Sequence, residues 1–230
     1  MKTLRDNCQT KLIAFDLDGT LLDSVPDLAK AVQLMLAELS LPTQQQDKIR
    51  GWIGNGARIL VKRALSGDIN GDTPDDLFEK AYPLFLKHYA DNLNGESVLY
   101  DGVEQTLATL KKTGIPMACI TNKPEQFTLP LLKEIGLAHF FDKVICGDTF
   151  EQRKPHPMPL LETAKFFNVS PGESIMVGDS VNDIAAAQAA GFYSICVTYG
   201  YHGEYDVSQL GADVVINNFS EIGLLLQQAA

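Results

Sequence analysis

Two aspartates, Asp16 and Asp18, open the stretch Asp16-Leu17-Asp18-Gly19-Thr20, directly after the short apolar run Lys11-Leu12-Ile13-Ala14-Phe15. Taken alone the stretch reads equally well as a turn, because Asp, Gly and Thr are ordinary turn residues. Complementary groups recur downstream. Thr121-Asn122 follows Pro116-Met117-Ala118-Cys119-Ile120, Lys154 stands in the stiff loop Arg153-Lys154-Pro155-His156-Pro157, and Asp179, with Asp183 four residues on, follows Ser174-Ile175-Met176-Val177. Acids placed at the ends of buried strands must be paired, hydrogen-bonded or bound to metal. Asp16, Asp18 and Asp179 are hard oxygen donors of the kind Mg²⁺ prefers, with coordination sites left for water and phosphate. Lys154, the Thr121 hydroxyl and the Asn122 amide can donate to phosphate oxygens. A carboxylate can also accept a phosphoryl group, and a metal offsets the repulsion between the two anions. Together they form an inventory for phosphoryl transfer.

These residues need elements that bring them to one edge. From Leu99 onward the pattern alternates: helix over Val103 to Lys112, strand over Pro116 to Ile120, helix over Glu125 to Ile135, strand over Lys143 to Cys146, helix over Leu160 to Phe167. A strand over Ser174 to Val177, an Ala-rich helix over Asp183 to Ala190, strands at Tyr193 to Val197 and Asp213 to Ile216, and a helix over Ile222 to Gln228 complete the chain. Apolar strands alternating with helices predict a parallel sheet covered on both faces, and open sheets of this class build sites at the carboxyl ends of their strands. Between residues 26 and 95 the periodicity is helical throughout, with Leu28, Val32, Met35, Leu36 and Leu39 on one face of the first helix, so this stretch reads as a helical insert.

The 230 residues suit one large domain or a core with a smaller insert, and a formal net charge of −10 argues against nonspecific nucleic-acid or anionic-membrane binding. An anionic substrate would need a metal or well-placed Lys and Arg to offset that field. Cys8, Cys119, Cys146 and Cys196 form no C-x-x-C pair, and the last three lie in apolar runs, which predicts buried free thiols in a reducing compartment. Met1 to Thr10 is polar, with no apolar stretch long enough for a signal peptide or span, so the expected location is cytoplasmic.

The four stretches, in this order, resemble the motifs of the haloacid-dehalogenase-like phosphatases: Asp16-Leu17-Asp18-Gly19-Thr20 the first, Thr121 the second, Lys154-Pro155-His156-Pro157 the third and Gly178-Asp179-Ser180-Val181-Asn182-Asp183 the fourth. The resemblance covers nearly the whole chain. It implies an α/β fold with a Rossmann-like parallel sheet core, residues 1–22 and 99–230, and a small helical cap domain, residues 23–98, inserted after the first strand. It further implies Mg²⁺ as cofactor, Asp16 as nucleophile and metal ligand, and Asp18 as the general acid, then base, which also gives its backbone carbonyl to the metal. Thr121 and Lys154 would hold the phosphoryl group, Asp179 would be the third protein ligand, and Asp183 would support the metal shell through water. The identity of Asp18 favours phosphate monoester hydrolysis over dehalogenation, because an alkoxide leaving group benefits from a proton and a halide does not.

Trp52-Ile53-Gly54-Asn55-Gly56-Ala57, Leu60-Val61-Lys62-Arg63-Ala64-Leu65 and Tyr199-Gly200-Tyr201 look similar to the bacterial phosphoglycolate phosphatases, a narrower match that implies a small phosphorylated metabolite, 2-phosphoglycolate first, acted on by a monomer or dimer. The Gly-Asn-Gly turn offers backbone N–H groups for a small carboxylate, with Arg58 or Lys62 near. Where relatives often carry Pro before the Gly, this chain has Asp101-Gly102. Bland alternatives stand beside these readings. Asp183 also suits the first turn of a helix, Asn122 can cap the helix after it, Arg58, Lys62 and Arg63 fit a solvated helix face, Trp52 fits packing, and the four histidines have no metal-like spacing. A phosphosugar mutase, a phosphatase for another metabolite or pyrophosphate, and a non-catalytic phosphorylation switch are the competing functions. Full turnover, with free phosphate as product, separates hydrolysis from the others.

Overall fold

The computed structural model describes residues 10–202 and 206–227, so Cys8 and Gln228 lie outside the described residues. Leu12–Phe15 forms β1 and Leu22–Asp23 the two-residue β2. Four helices follow, α1 (Val25–Glu38), α2 (Gln46–Arg50), α3 (Ala57–Ser66) and α4 (Asp75–Asp91), and then the two-residue β3 (Val98–Leu99). The alternating part comprises α5 (Val103–Lys111), β4 (Met117–Ile120), α6 (Glu125–Glu134), β5 (Lys143–Ile145), α7 (Met158–Phe167) and β6 (Ser174–Gly178). It ends with α8 (Val181–Ala190), β7 (Tyr193–Val197), β8 (Val214–Ile216) and α9 (Glu221–Gln227).

Six strands pair in parallel in the order β5-β4-β1-β6-β7-β8. Counted among themselves this is 3-2-1-4-5-6, the doubly wound order of Rossmann-like sheets, in which the winding reverses between β1 and β6. The register sets Phe15 beside Cys119 on one side and Val177 on the other, so the chain leaves β1, β4 and β6 at nearly one level. Both sheet faces are dry, which is why the strands read as apolar runs. Ile13, Phe15, Cys119, Ile175, Val177 and Ile195 point to one face, packed with Leu107 of α5 and Ile222 of α9. Leu12, Ala14, Ala118, Ile120 and Met176 point to the other, packed with Leu160 of α7 and Ala186 and Ala187 of α8.

Helices α1 to α4 enclose an apolar cluster of their own, in which Leu28, Val32, Met35 and Leu36 of α1 meet Phe78, Ala81, Phe85 and Tyr89 of α4. Phe127 of α6 joins this cluster and stacks edge-on against Tyr89, 4.9 Å between ring centroids. The chain enters and leaves the four helices through the antiparallel β2–β3 ribbon, which pairs Leu22 with Leu99 and Asp23 with Val98. Two-residue strands carry no periodicity, so the ribbon leaves no signature in the amino-acid pattern. Asp27, fully buried in α1, reinforces this crossing by accepting from the Glu96 and Ser97 N–H groups and the Ser97 hydroxyl.

Candidate active site

The ends of β1 and β6 lie side by side where the winding reverses, and the predicted acids gather there. Asp16, Asp179 and Asp183 are buried, and an oxygen of each lies within 4.8 Å of the others. The turn after β1 is tight: the Leu21 and Leu22 N–H groups return to the Leu17 carbonyl. Gly19 adopts φ +86°, and a Cβ there would sit 2.3 Å from Asp179 Oδ2, so only glycine lets the two loops approach. Asp183 caps α8, with Oδ2 accepting from the Ser180 N–H at 3.0 Å and the Ser180 hydroxyl at 2.6 Å, while Oδ1 accepts from Lys154 Nζ at 2.7 Å. Asp183 thus serves the start of α8 and bonds Lys154 as well.

Lys154 is 2 % exposed and joins the acids as their cation. Its ammonium lies 3.0 Å from Asp16 Oδ1, bonds Asp183 and donates to the Ile120 carbonyl at the end of β4. Burial pulls its pKa down, but Asp16 and Asp183 more than offset this and hold the ammonium above the ordinary lysine range. Asp16 Oδ1 also accepts from the Leu17 N–H at 2.7 Å, and Oδ2 has no hydrogen-bond donor among the described residues. Asp179 accepts from the Thr20 hydroxyl at 2.8 Å and the Tyr201 N–H at 2.6 Å.

Three carboxylates with one lysine leave an excess of buried negative charge. Burial raises the Asp16 carboxyl well above the ordinary range, Asp183 and Asp179 add to the rise, and Lys154 opposes it. Burial, and then Asp183, raise Asp179 in the same direction. Either protons or a cation must relieve such a site. Three buried carboxylates whose oxygens lie within 4.8 Å of one another fit a small divalent cation such as Mg²⁺.

Asp18 turns its side chain away from that cluster. Its carboxylate accepts from Lys123 Nζ at 2.8 and 2.9 Å and from the Ser24 hydroxyl at 2.6 Å. Thr121 is buried, and its hydroxyl accepts from the Lys123 N–H at 3.2 Å. Asp16, Asp18 and Thr121 all face one cavity of about 40 Å³. Its opposite wall comes from the helical layer, through Leu28, Gly54, Leu60 and Phe85.

Asn122 departs from expectation. Both donors of its amide are taken, by the Gly54 carbonyl and the Lys154 carbonyl, each at 2.9 Å. Asn122 lines the cavity, but its side-chain donors are spent on these two carbonyls, and the N-cap of α6 is Pro124. Instead it ties the Gly54 loop and the Lys154 loop to the end of β4. The basic face of α3 also divides differently. Arg58 is exposed and lies over the Phe78 and Tyr82 rings, and Lys62 lies over Phe78, so neither lines the cavity. Arg63, expected on a solvated face, donates to the Trp52 carbonyl at 2.8 Å and to Asn55 Oδ1 at 3.0 Å, and so holds the Gly54-Asn55-Gly56 turn. That turn offers its Gly54 carbonyl to Asn122 and Asn182.

Sequence reasoning gave no role to Lys123, Ser24 or Thr20. The sequence signal for Lys123 is its place: a lysine two residues past Thr121 at a strand end. Nothing in the sequence marked Ser24 or Thr20 as partners of Asp18 and Asp179, because those contacts are set by turn geometry. Tyr201 is placed as well. Its hydroxyl accepts from the Ser24 N–H and donates to Asp23 Oδ1, both at 2.8 Å, which links the Asp179 loop to the β2 crossing. Cys119, Cys146 and Cys196 are buried free thiols, and burial raises all three pKa values, Cys146 to about 11. No helix among the described residues is long and apolar enough to cross a membrane.

Comparison with known proteins agrees with this geometry. The family model of the haloacid dehalogenase-like hydrolases matches residues 13–197. The phosphoglycolate phosphatase of Nitrosococcus oceani is 46% identical over 222 residues, 96% of this chain and 99% of its own. That of Thiobacillus denitrificans is 44% identical over 219 residues, covering 95% and 96%. The crystal structure of a predicted phosphoglycolate phosphatase from Haemophilus somnus 129pt superposes with a TM-score of 0.89 at 36% identity, over 94% of this chain and 98% of that one. The strand-end acids and these full-length similarities lead to one conclusion: the chain belongs to the haloacid dehalogenase-like hydrolase family, among its phosphatases.

Proposed function

We propose that this phosphatase hydrolyses a small phosphorylated acid, 2-phosphoglycolate first, to the free acid and phosphate through an aspartyl-phosphate on Asp16. The observation that carries this reading is the state of Asp16: Oδ1 is fixed by Lys154 and the Leu17 N–H, and Oδ2 has no donor among the described residues, beside Asp18 in the same cavity. Full-length relatives named phosphoglycolate phosphatases support the substrate.

Asp16 Oδ2 attacks phosphorus as the bond to the leaving oxygen breaks, and Asp18 gives that oxygen its proton, a contribution of about 10²–10⁴-fold. Asp18 then takes a proton from the water that attacks the phosphoryl-aspartate, which returns Asp16 as carboxylate and releases phosphate. Thr121 and Lys154 hold the phosphoryl oxygens. Asp16 and Asp179, with the Asp18 carbonyl, would hold Mg²⁺, and Asp183 orients this set through Lys154 and the start of α8. Bound Mg²⁺ would draw charge from the phosphoryl oxygens and offset their repulsion from the carboxylates. Residues 23–98 serve as a cap that closes over the core and selects the substrate. The setting is cytoplasmic, in keeping with the free thiols, and neither nucleic acid nor membrane is a partner. A phosphate-release screen over 2-phosphoglycolate, sugar phosphates and pyrophosphate tests the reading. A higher kcat/KM for any other ester than for 2-phosphoglycolate refutes the substrate, and phosphate retained on a sugar bisphosphate would mark a mutase.

A further inference from the structure

The cavity is lopsided in its charges. Asp16 and Asp18 line it, the helical side is mostly apolar, and the one cationic side chain lining it among the described residues is Lys123. The chain as a whole carries a net charge of −10. A substrate with a second anionic group, beyond its phosphate, therefore needs a local cation to enter at all. Lys154, the other buried lysine of the site, does not line this cavity and lies against Asp16, Asp183 and the Ile120 carbonyl.

Lys123 sits differently. It is 5 % exposed, at the end of β4, and two of its three ammonium donors go to Asp18. The ammonium lies 4.9 Å from the centre of the Tyr89 ring, on α4 of the helical layer. The buried Tyr89 hydroxyl makes no full hydrogen bond among the described residues but interacts with that ammonium, and Tyr89 lines the same cavity. A ligand carboxylate set against the ammonium would meet the Tyr89 hydroxyl as a second donor. Leu60, Phe85 and Phe127 around them give no competing polar contact and leave a dry surround in which a charge-assisted hydrogen bond is strong.

We propose that Lys123, assisted by the Tyr89 hydroxyl, is the specificity-determining pair that binds the carboxylate of the substrate. The inference rests on the reading of a small phosphorylated acid given above and adds the residues that read the acid. It differs from the carboxylate site expected at the Gly54-Asn55-Gly56 turn with Arg58 or Lys62, since neither of those basic side chains lines the cavity. Because Tyr89 belongs to the four-helix layer and Lys123 to the sheet, the pair assembles only when the two layers are together.

The test compares 2-phosphoglycolate with ethyl phosphate, which keeps the phosphate and the two-carbon chain but lacks the carboxylate. The readout is the ratio of the two kcat/KM values in wild type, Lys123→Met, Lys123→Arg and Tyr89→Phe. Lys123→Met is expected to lower the ratio by about tenfold or more, Lys123→Arg to restore part of it, and Tyr89→Phe to lower it by roughly threefold, mainly through KM. Tyr89→Phe removes a single oxygen from the apolar cluster, so it reports even if Lys123→Met does not fold. Equal losses on both esters, with the ratio unchanged in Lys123→Met and Tyr89→Phe, would overturn the proposal and reduce Lys123 to a positioning residue for Asp18. Failure of the underlying reading has its own signature: wild type itself would show no preference for 2-phosphoglycolate over ethyl phosphate, which overturns both.

Discussion

The carboxyl end of the parallel sheet and the four-helix layer above it meet at one cavity and bring different material to it. The sheet brings three buried aspartates and Lys154, each fixed by hydrogen bonds from neighbouring strand ends or from the start of α8. The helices bring Leu28, Leu60 and Phe85, the Tyr89 hydroxyl, and a glycine turn held at its carbonyl by Asn122. Chemistry needs preorganised charge, which strand ends tied into a sheet can supply. Selection needs a shaped and dry surround that can be exchanged without disturbing the acids. Changes on the sheet side should therefore strike turnover of every ester, and changes on the helical side should strike the choice among them.

The largest expected effect is the loss of Asp16. Asp16→Asn should reduce turnover by about 10⁴-fold or more with all substrates, with the fold unchanged by circular dichroism. Chelation of divalent metal should silence the wild type, and Mg²⁺ should restore it. Retained activity in Asp16→Asn would remove the nucleophile from the account and with it the contrast between the two layers. Next comes Lys154→Met. It strands Asp16 and Asp183 without their cation, and breaking a buried pair costs about 3–5 kcal/mol. Urea unfolding should report that loss together with the loss of turnover, and a variant of wild-type stability would mean the acids do not depend on Lys154.

The sheet side was largely legible in the sequence for a physical reason. Strands buried on both faces are short apolar runs, and their polar successors stand out against them, so Asp16, Thr121 and Asp179 announced themselves, and Tyr193–Val197 was bounded to the residue. The β2–β3 ribbon was not legible, since two residues have no period. Asn122 reads as a phosphate donor because an amide at a strand end donates equally well to phosphate or to a carbonyl, and only the fold brings the Gly54 and Lys154 carbonyls to it. The tasks of Lys123 and Arg63 were hidden for the same reason. A lysine or arginine on a helix or loop is solvated by default, and what overrides the default is the position of a distant element.

The charge imbalance of the sheet side should be visible as pH dependence without metal. Asp16 and Asp179 hold their protons to higher pH in the folded state than the ordinary carboxylate value near 4. Over that window the folded state binds more protons than the unfolded chain, so stability is greatest at and below about pH 4 from these groups and falls as pH rises. Mg²⁺ binds only the folded site, with a gain of about 2.7 kcal/mol at a hundred times its Kd, and it displaces those protons. The gap between thermal midpoints in Mg²⁺ and in EDTA should thus widen from pH 5 to pH 8. A gap independent of pH would mean that the acids are ionised without metal, and that the sheet side balances its charge by other means.

The smallest effect expected lies in the helical layer. Arg63 donates to the Trp52 and Ile69 carbonyls and to Asn55 Oδ1, and so fixes the turn whose Gly54 and Gly56 line the cavity. Arg63→Met keeps much of the aliphatic stem and removes those donors, at a cost of about 1–2 kcal/mol. No acid is touched, so kcat for ethyl phosphate should change little. The turn that walls the cavity is loosened, so KM for 2-phosphoglycolate should rise by roughly two- to fivefold. A fall in kcat on both esters with KM unchanged would place Arg63 with the chemistry, and the division between a reacting sheet edge and a selecting helical layer would not hold at this turn.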